Sequence, residues 1–167
     1  MACPAVTGAA ALFRQYFTDG YYPTGAAVSG NGFTPTGALL RAMIMNASVD
    51  MTGIAGYPSN REGWGRLVGD VSAHFAGDAR KLVVRDVRNA SPESLTTGGM
   101  LTWEFDVNGS SEQLRVTMTF TDVPATIGAS FTPVNNLDLE VIDPIGTVYK
   151  GNNFNTTRGV ADVGGGA

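Results

Sequence analysis

The sequence predicts an α+β chain in two parts, helical over residues 1–77 and an antiparallel β-sandwich over residues 78–167. Three observations carry this. Apolar residues recur at helical spacing before residue 78 and at a period of two after it. Asn108-Gly109 gives a hairpin-turn signal inside the alternating region. Glycine is abundant, 22 of 167 residues beside 8 prolines, as expected of a chain with many tight turns.

In the first part, Pro4 suits an opening helical turn. Val6, Ala9, Ala10, Phe13 and Phe17 then share one face until Gly20 stops the helix. A glycine-rich loop over 21–33 leads to Thr34 as N-cap, with Pro35 at the first helical position. Residues 37–47 (GALLRAMIMNA) are apolar on nearly every side, which predicts a buried second helix. Asn60 to Arg66 reads as a glycine turn, and Leu67 to Phe75 as a short third helix.

In the second part, Leu101, Trp103, Phe105 and Val107 alternate with Thr102, Glu104 and Asp106. Leu114, Val116, Met118 and Phe120 alternate with Arg115, Thr117, Thr119 and Thr121. Both runs predict half-buried strands with one core face and one wet face. Residues 81–87, 137–142 and 148–150 are further strands, and 159–167 reads as loop. Trp103 is expected to pack in the sandwich, and Trp64 at the junction of the two parts. Five strands are few for a closed sandwich, and the helical part has no strands of its own. Both parts therefore read as incomplete.

Composition excludes several functions. Eleven Lys and Arg against fifteen Asp and Glu give a net charge of -4, without a basic cluster to neutralise a phosphate backbone, so no nucleic-acid partner is expected. No apolar run reaches the roughly 18 residues of a membrane span. The apolar start has no basic residue before it and Arg14 after it, the reverse of a signal peptide. Cys3 is the sole cysteine, so neither an internal disulfide nor a multi-thiolate metal site forms within the chain. Cys3 is expected to be a buried small residue and the sole histidine, His74, a junction residue; a cysteine hydrolase built on Cys3 is the weakest of the functional readings. No phosphate-cradling glycine motif follows a strand. The chain thus presents no catalytic constellation of its own.

A resemblance adds to this. Residues 1–11 (MACPAVTGAAA) resemble the segment after the nucleophilic serine of subtilisin-like serine peptidases, where a Gly-Thr-Ser-Met-Ala motif opens a buried helix. Met1 and Ala2 match the last two residues of that motif, which places the serine one residue before Met1. Leu39-Leu40-Arg41-Ala42-Met43 is similar to the family's next core helix, and Gly63-Trp64-Gly65-Arg66 to the turn before its last helix. Residues 121–125 (TDVPA), 134–139 (VNNLDL) and 144–147 (PIGT) resemble the C-terminal β-domain of bacterial alkaline subtilases, a jelly-roll-like barrel similar to the domain that follows proprotein convertase catalytic domains.

The resemblance covers nearly the whole chain. It implies a secreted serine endopeptidase with a Ser-His-Asp triad, acting on protein or peptide substrates. The triad, the oxyanion-hole asparagine and most of the parallel sheet are expected upstream, and the closing strands after residue 167. The remainder of the peptidase domain is the implied partner, and the chain alone is expected to be inactive. The β-domain of these relatives binds calcium, and Asp122, Asn135, Asn136, Asp138 and Asn152 are the oxygen-bearing candidates here; an acid often stands at the position of Asn136. The alternative expectation for these residues is turn-making through side-chain hydrogen bonds. The alternative function is a non-catalytic β-sandwich module that binds calcium, a partner domain or a polysaccharide. Asn46, Asn108 and Asn155 each open an Asn-x-Ser/Thr triplet, which a bacterial resemblance argues against as glycan acceptors.

Overall fold

The computed structural model describes residues 2–155 and, by backbone alone, 160–163. The first helix, α1 (Ala2–Thr18), buries Phe13, Tyr16 and Phe17. Gly20 ends it with φ 76°, where an L-residue is strained. Tyr21 N donates to Tyr16 O (3.0 Å) and Gly20 N to Phe17 O (3.2 Å), so two terminal carbonyls are satisfied by a left-handed cap. The second helix, α2 (Gly37–Asn46), buries Leu39 and Met43. Together with Ala47 these residues form one core, joined at its edge by Tyr21, Tyr22, Phe33, Leu67, Leu82 and Val84.

The α2 N-cap is Thr36, not Thr34 with Pro35 as expected from sequence. Thr36 Oγ1 accepts from Leu39 N (3.0 Å), and Asp86 fixes that hydroxyl at 2.5 Å and the Thr36 N–H at 3.0 Å. A carboxylate fifty residues downstream therefore selects the cap. After α2, β1 (Ser48–Val49) pairs antiparallel with β2 (Arg66–Leu67). The expected third helix over Leu67 to Phe75 does not form. Leu67 is drawn into the β1 pairing, Val68 N donates to Ala47 O (2.8 Å), and only a 3-10 turn at Gly69–Val71 follows. Strand pairing with a neighbour already in place outweighs the weak helical preference of a segment holding Val68, Gly69 and Val71.

Residues 81–87, expected as a strand, lie against this core without forming a ladder. Leu82 and Val84 pack on it, and Val84 N donates to the Tyr22 hydroxyl (3.1 Å), in place of ladder hydrogen bonds. The alternating runs 101–107 and 114–121 form no regular secondary structure: among the described residues no ladder joins them, and the Asn108-Gly109 hairpin expected between them is not formed. Trp103, Phe105, Val107, Leu114 and Val116 are exposed. Strand preference is realised only against a partner, and these rows have none among the described residues.

Besides the β1–β2 pair, the described residues form a three-stranded antiparallel sheet of β3 (Glu140–Ile142), β4 (Val148–Asn155) and β5 (Val160–Val163), in that order. The expected strand 137–142 is shorter, and the expected strand 148–150 continues to Asn155. The expected loop 159–167 contains β5; its remaining residues lie outside the described ones. Asp143-Pro144-Ile145-Gly146-Thr147 closes the β3–β4 hairpin, with Gly146 at φ 89° and Gly146 N donating to Asp143 O (2.9 Å). A register shift between Tyr149 and Phe154 bulges β4, where Asn152 takes φ 61°.

Candidate functional site

The start of α1 is the element that the resemblance places beside a nucleophile. Met1 lies outside the described residues, and Ala2 opens the helix. The first half of α1 is solvent-facing, with Val6 at 39% and Leu12 at 68% exposure. Only its second half meets the core. Cys3 is exposed rather than buried as expected, because it lies on this uncovered half.

Thirteen residues separate Cys3 from Tyr16 on one helix, which spaces their α-carbons about 20 Å apart. His74 sits at the Tyr16 end. The Tyr16 hydroxyl donates to His74 O (2.7 Å) and accepts from His74 N (3.3 Å). Burial pushes the Tyr16 hydroxyl above its ordinary value of 10.0, partly offset by its bond to the His74 carbonyl. The His74 ring is buried at 3% exposure, with Nε2 3.3 Å from Lys81 Nζ and Nδ1 4.0 Å from Asp78 Oδ2. The buried Nδ1 has no hydrogen-bond partner among the described residues. No thiol–imidazole pair forms, and His74 is a packing residue at the junction.

Among the five expected metal ligands, the structure brings together Asp122 and Asn135. Asp122 Oδ1 accepts from Val123 N (2.9 Å) and Asn135 Nδ2 (2.6 Å). Its Oδ2 accepts from Val134 N (2.7 Å) and Asn135 N (3.2 Å). None of these contacts ties Asn136, Asp138 or Asn152 to that carboxylate. Calcium takes six to eight oxygens, whereas here N–H donors occupy both carboxylate oxygens and the Asn135 amide presents its nitrogen. Among the described residues no group of three or more Asp, Glu, His or Cys side chains is gathered in one place. Asp122 instead clamps the 123–135 loop.

The Val134 N–H, followed by the Asn135 side chain and further backbone donors, holds the Asp122 carboxyl below its ordinary value of 3.8. A depressed carboxyl pKa stabilises the folded loop above the ordinary value and loses that effect as pH falls through the lowered one. The Val134 and Asn135 amide shifts are therefore expected to titrate with Asp122 below pH 3.8, and Asp122→Asn to abolish that titration in NMR spectra. Titration above 3.8 contradicts the clamp. Asp143 is lowered in the same way, chiefly by the Thr147 N–H.

A set of long-range side-chain hydrogen bonds joins α2 to residues 115–121. Arg115 Nη1 donates to Asn46 O and Ser48 O, both at 3.1 Å, at the negative end of the α2 dipole. Asn46 Nδ2 donates to Thr117 Oγ1 (3.0 Å), Thr119 Oγ1 to Ala38 O (2.6 Å), and Arg41 Nη2 to Phe120 O (2.9 Å). Trp64 packs edge-on to Phe154 at 5.5 Å between ring centroids, so it occupies the junction as expected. Sequence reasoning singled out none of Arg41, Arg115 and Asp86, which together tie the second part to the helical core. Arg115 interrupting an otherwise Thr-lined polar row was the available signal.

No helix among the described residues is long and apolar enough to cross a membrane. No protein-family model matches the chain. No solved structure matches it either. The curated relatives it is similar to come from Dictyostelium discoideum. Serine protease/ABC transporter B family protein tagD is 30% identical over 176 residues, covering 83% of this chain and 10% of the relative. TagA of the same description is 28% identical over 168 residues, covering 97% of this chain and 9% of the relative. TagB is 29% identical over 182 residues, covering 86% and 10%. The chain spans about a tenth of the length of these relatives. The similarity runs through both parts of the chain and marks it as a serine protease-related region.

Proposed function

We propose that this chain belongs to a secreted subtilisin-like serine endopeptidase, C-terminal to its nucleophilic serine, and that its second part belongs to a jelly-roll-like sandwich. The observation that supports this best is the half-covered α1. The helix whose sequence carries the resemblance buries Phe13, Tyr16 and Phe17, while Ala2 to Gly8 are exposed on every side. In this reading the rest of the peptidase domain covers that bare half. The N-terminal end of α1, with free N–H groups and positive potential, then lies beside the serine and favours a developing oxyanion. Acyl transfer by serine with histidine as general base is the work of upstream residues.

This chain contributes support. The core around Phe17 fixes the axis of α1, and the Arg115 and Arg41 contacts fix the second part against α2. A fluorophosphonate probe is expected to label the full-length parent and to leave the purified 167-residue chain unlabelled. Labelling of this chain alone contradicts the reading, and so does a parent that takes up no probe.

A further inference from the structure

The three Asn-x-Ser/Thr triplets differ in what the fold leaves free. Asn46 lies in the last turn of α2, and its Nδ2 donates to Thr117 Oγ1 (3.0 Å) and Arg115 O (3.4 Å). Ser48 of the same triplet is buried, with Oγ donating to Ile44 O (3.0 Å). A sugar on Asn46 Nδ2 would replace those bonds and stand between α2 and the 115–121 run. Asn155 ends β4, and the other two residues of its triplet lie outside the described ones. Asn108-Gly109-Ser110 is exposed at all three positions, between the two alternating runs. Among the described residues, no side-chain hydrogen bond occupies Asn108 or Ser110.

We infer that Asn108 is an acceptor for an N-linked oligosaccharide and that Asn46 is not. This rests on the secreted reading above, and it takes weight from relatives that all belong to a eukaryote. The donor is a lipid-linked oligosaccharide diphosphate. Asn108 Nδ2 forms a bond to the anomeric carbon as the carbon–oxygen bond to phosphate breaks. The lipid diphosphate leaves with that electron pair, and one amide proton passes to a base. The Ser110 hydroxyl, two residues on, supplies the recognition element of the triplet. Val107 at 62% and Leu114 at 54% exposure lie on either side of this segment, so a glycan there shields apolar surface that the fold leaves open.

The test is to express the full 167-residue chain behind a cleavable secretion leader in cultured eukaryotic cells. Peptide mass spectrometry before and after glycosidase treatment then reads each asparagine, in cell lysate as well as medium, so poor folding does not hide the result. The expected outcome is modified Asn108 and bare Asn46, with the glycan at that site lost in Asn108→Gln and retained in Asn46→Gln. A bare Asn108 or a glycan on Asn46 overturns the inference. A glycosylated leader-driven chain beside a bare Asn108 in the parent protein from its own cells overturns the secreted reading instead.

Discussion

Phe17→Ala is expected to cost about 3–5 kcal/mol and to unfold the helical part near room temperature. Phe17 is fully buried and is the largest side chain in that state among the described residues. Its ring meets Phe33 at 5.1 Å, Tyr16 at 5.2 Å and Tyr22 at 6.0 Å between centroids. Removing it leaves those rings facing a cavity and also loses aromatic pair energy. Domains have only about 5–15 kcal/mol of total stability, and here the bare half of α1 and the open strand rows add none. Phe17→Leu, which keeps most of the volume, is expected to cost less than about half as much. Urea unfolding followed by the far-ultraviolet circular dichroism of the helices measures both. A loss under about 1 kcal/mol for the alanine variant contradicts the assigned core.

Gly65→Ala is the second large effect, about 2–3 kcal/mol. Gly65 has φ 83°, and a Cβ there would run into the Val49 carbonyl across the β1–β2 pair, with the Tyr57 ring 3.3 Å away. Neither the carbonyl nor the strand can move aside without breaking the pairing that carries Ser48 and the Arg115 contact. Gly63, two residues earlier in the same turn, has φ 61° but nothing near its missing Cβ. Gly63→Ala therefore carries the backbone term alone, about 1 kcal/mol. Comparing the two urea midpoints separates strain from collision. Equal losses contradict the close approach of Gly65 to β1.

Local chemistry made α1, its Gly20 stop, α2 and the junction role of Trp64 legible in the sequence. Each depends on residues within about one turn of each other, or on one large aromatic in a glycine turn. The features that escaped are set at long range. Asp86 chooses Thr36 over Thr34 as the α2 cap from fifty residues away. Pairing with β1 takes Leu67 out of the expected helix. The alternating runs carry a strand period, yet period alone cannot supply the partner that turns such a run into a ladder. Pro144 at the second and Gly146 at the fourth position of the 143–147 turn were a readable hairpin signal.

The candidate site divides in the same way. Oxygen-bearing side chains near strand ends look alike in sequence whether they bind a cation or their own backbone. The structure gives Asp122 four N–H donors, which is the turn-making alternative. The exposure of Cys3 was hidden because residue type predicts burial only when a partner covers the face.

The most direct measurement is the DNA sequence immediately upstream of the codon for Met1. The account predicts in-frame codons for Gly-Thr-Ser ending at that position, with histidine and aspartate motifs further upstream in the same frame. An in-frame stop codon immediately before Met1, with no Gly-Thr-Ser codons between them, contradicts it.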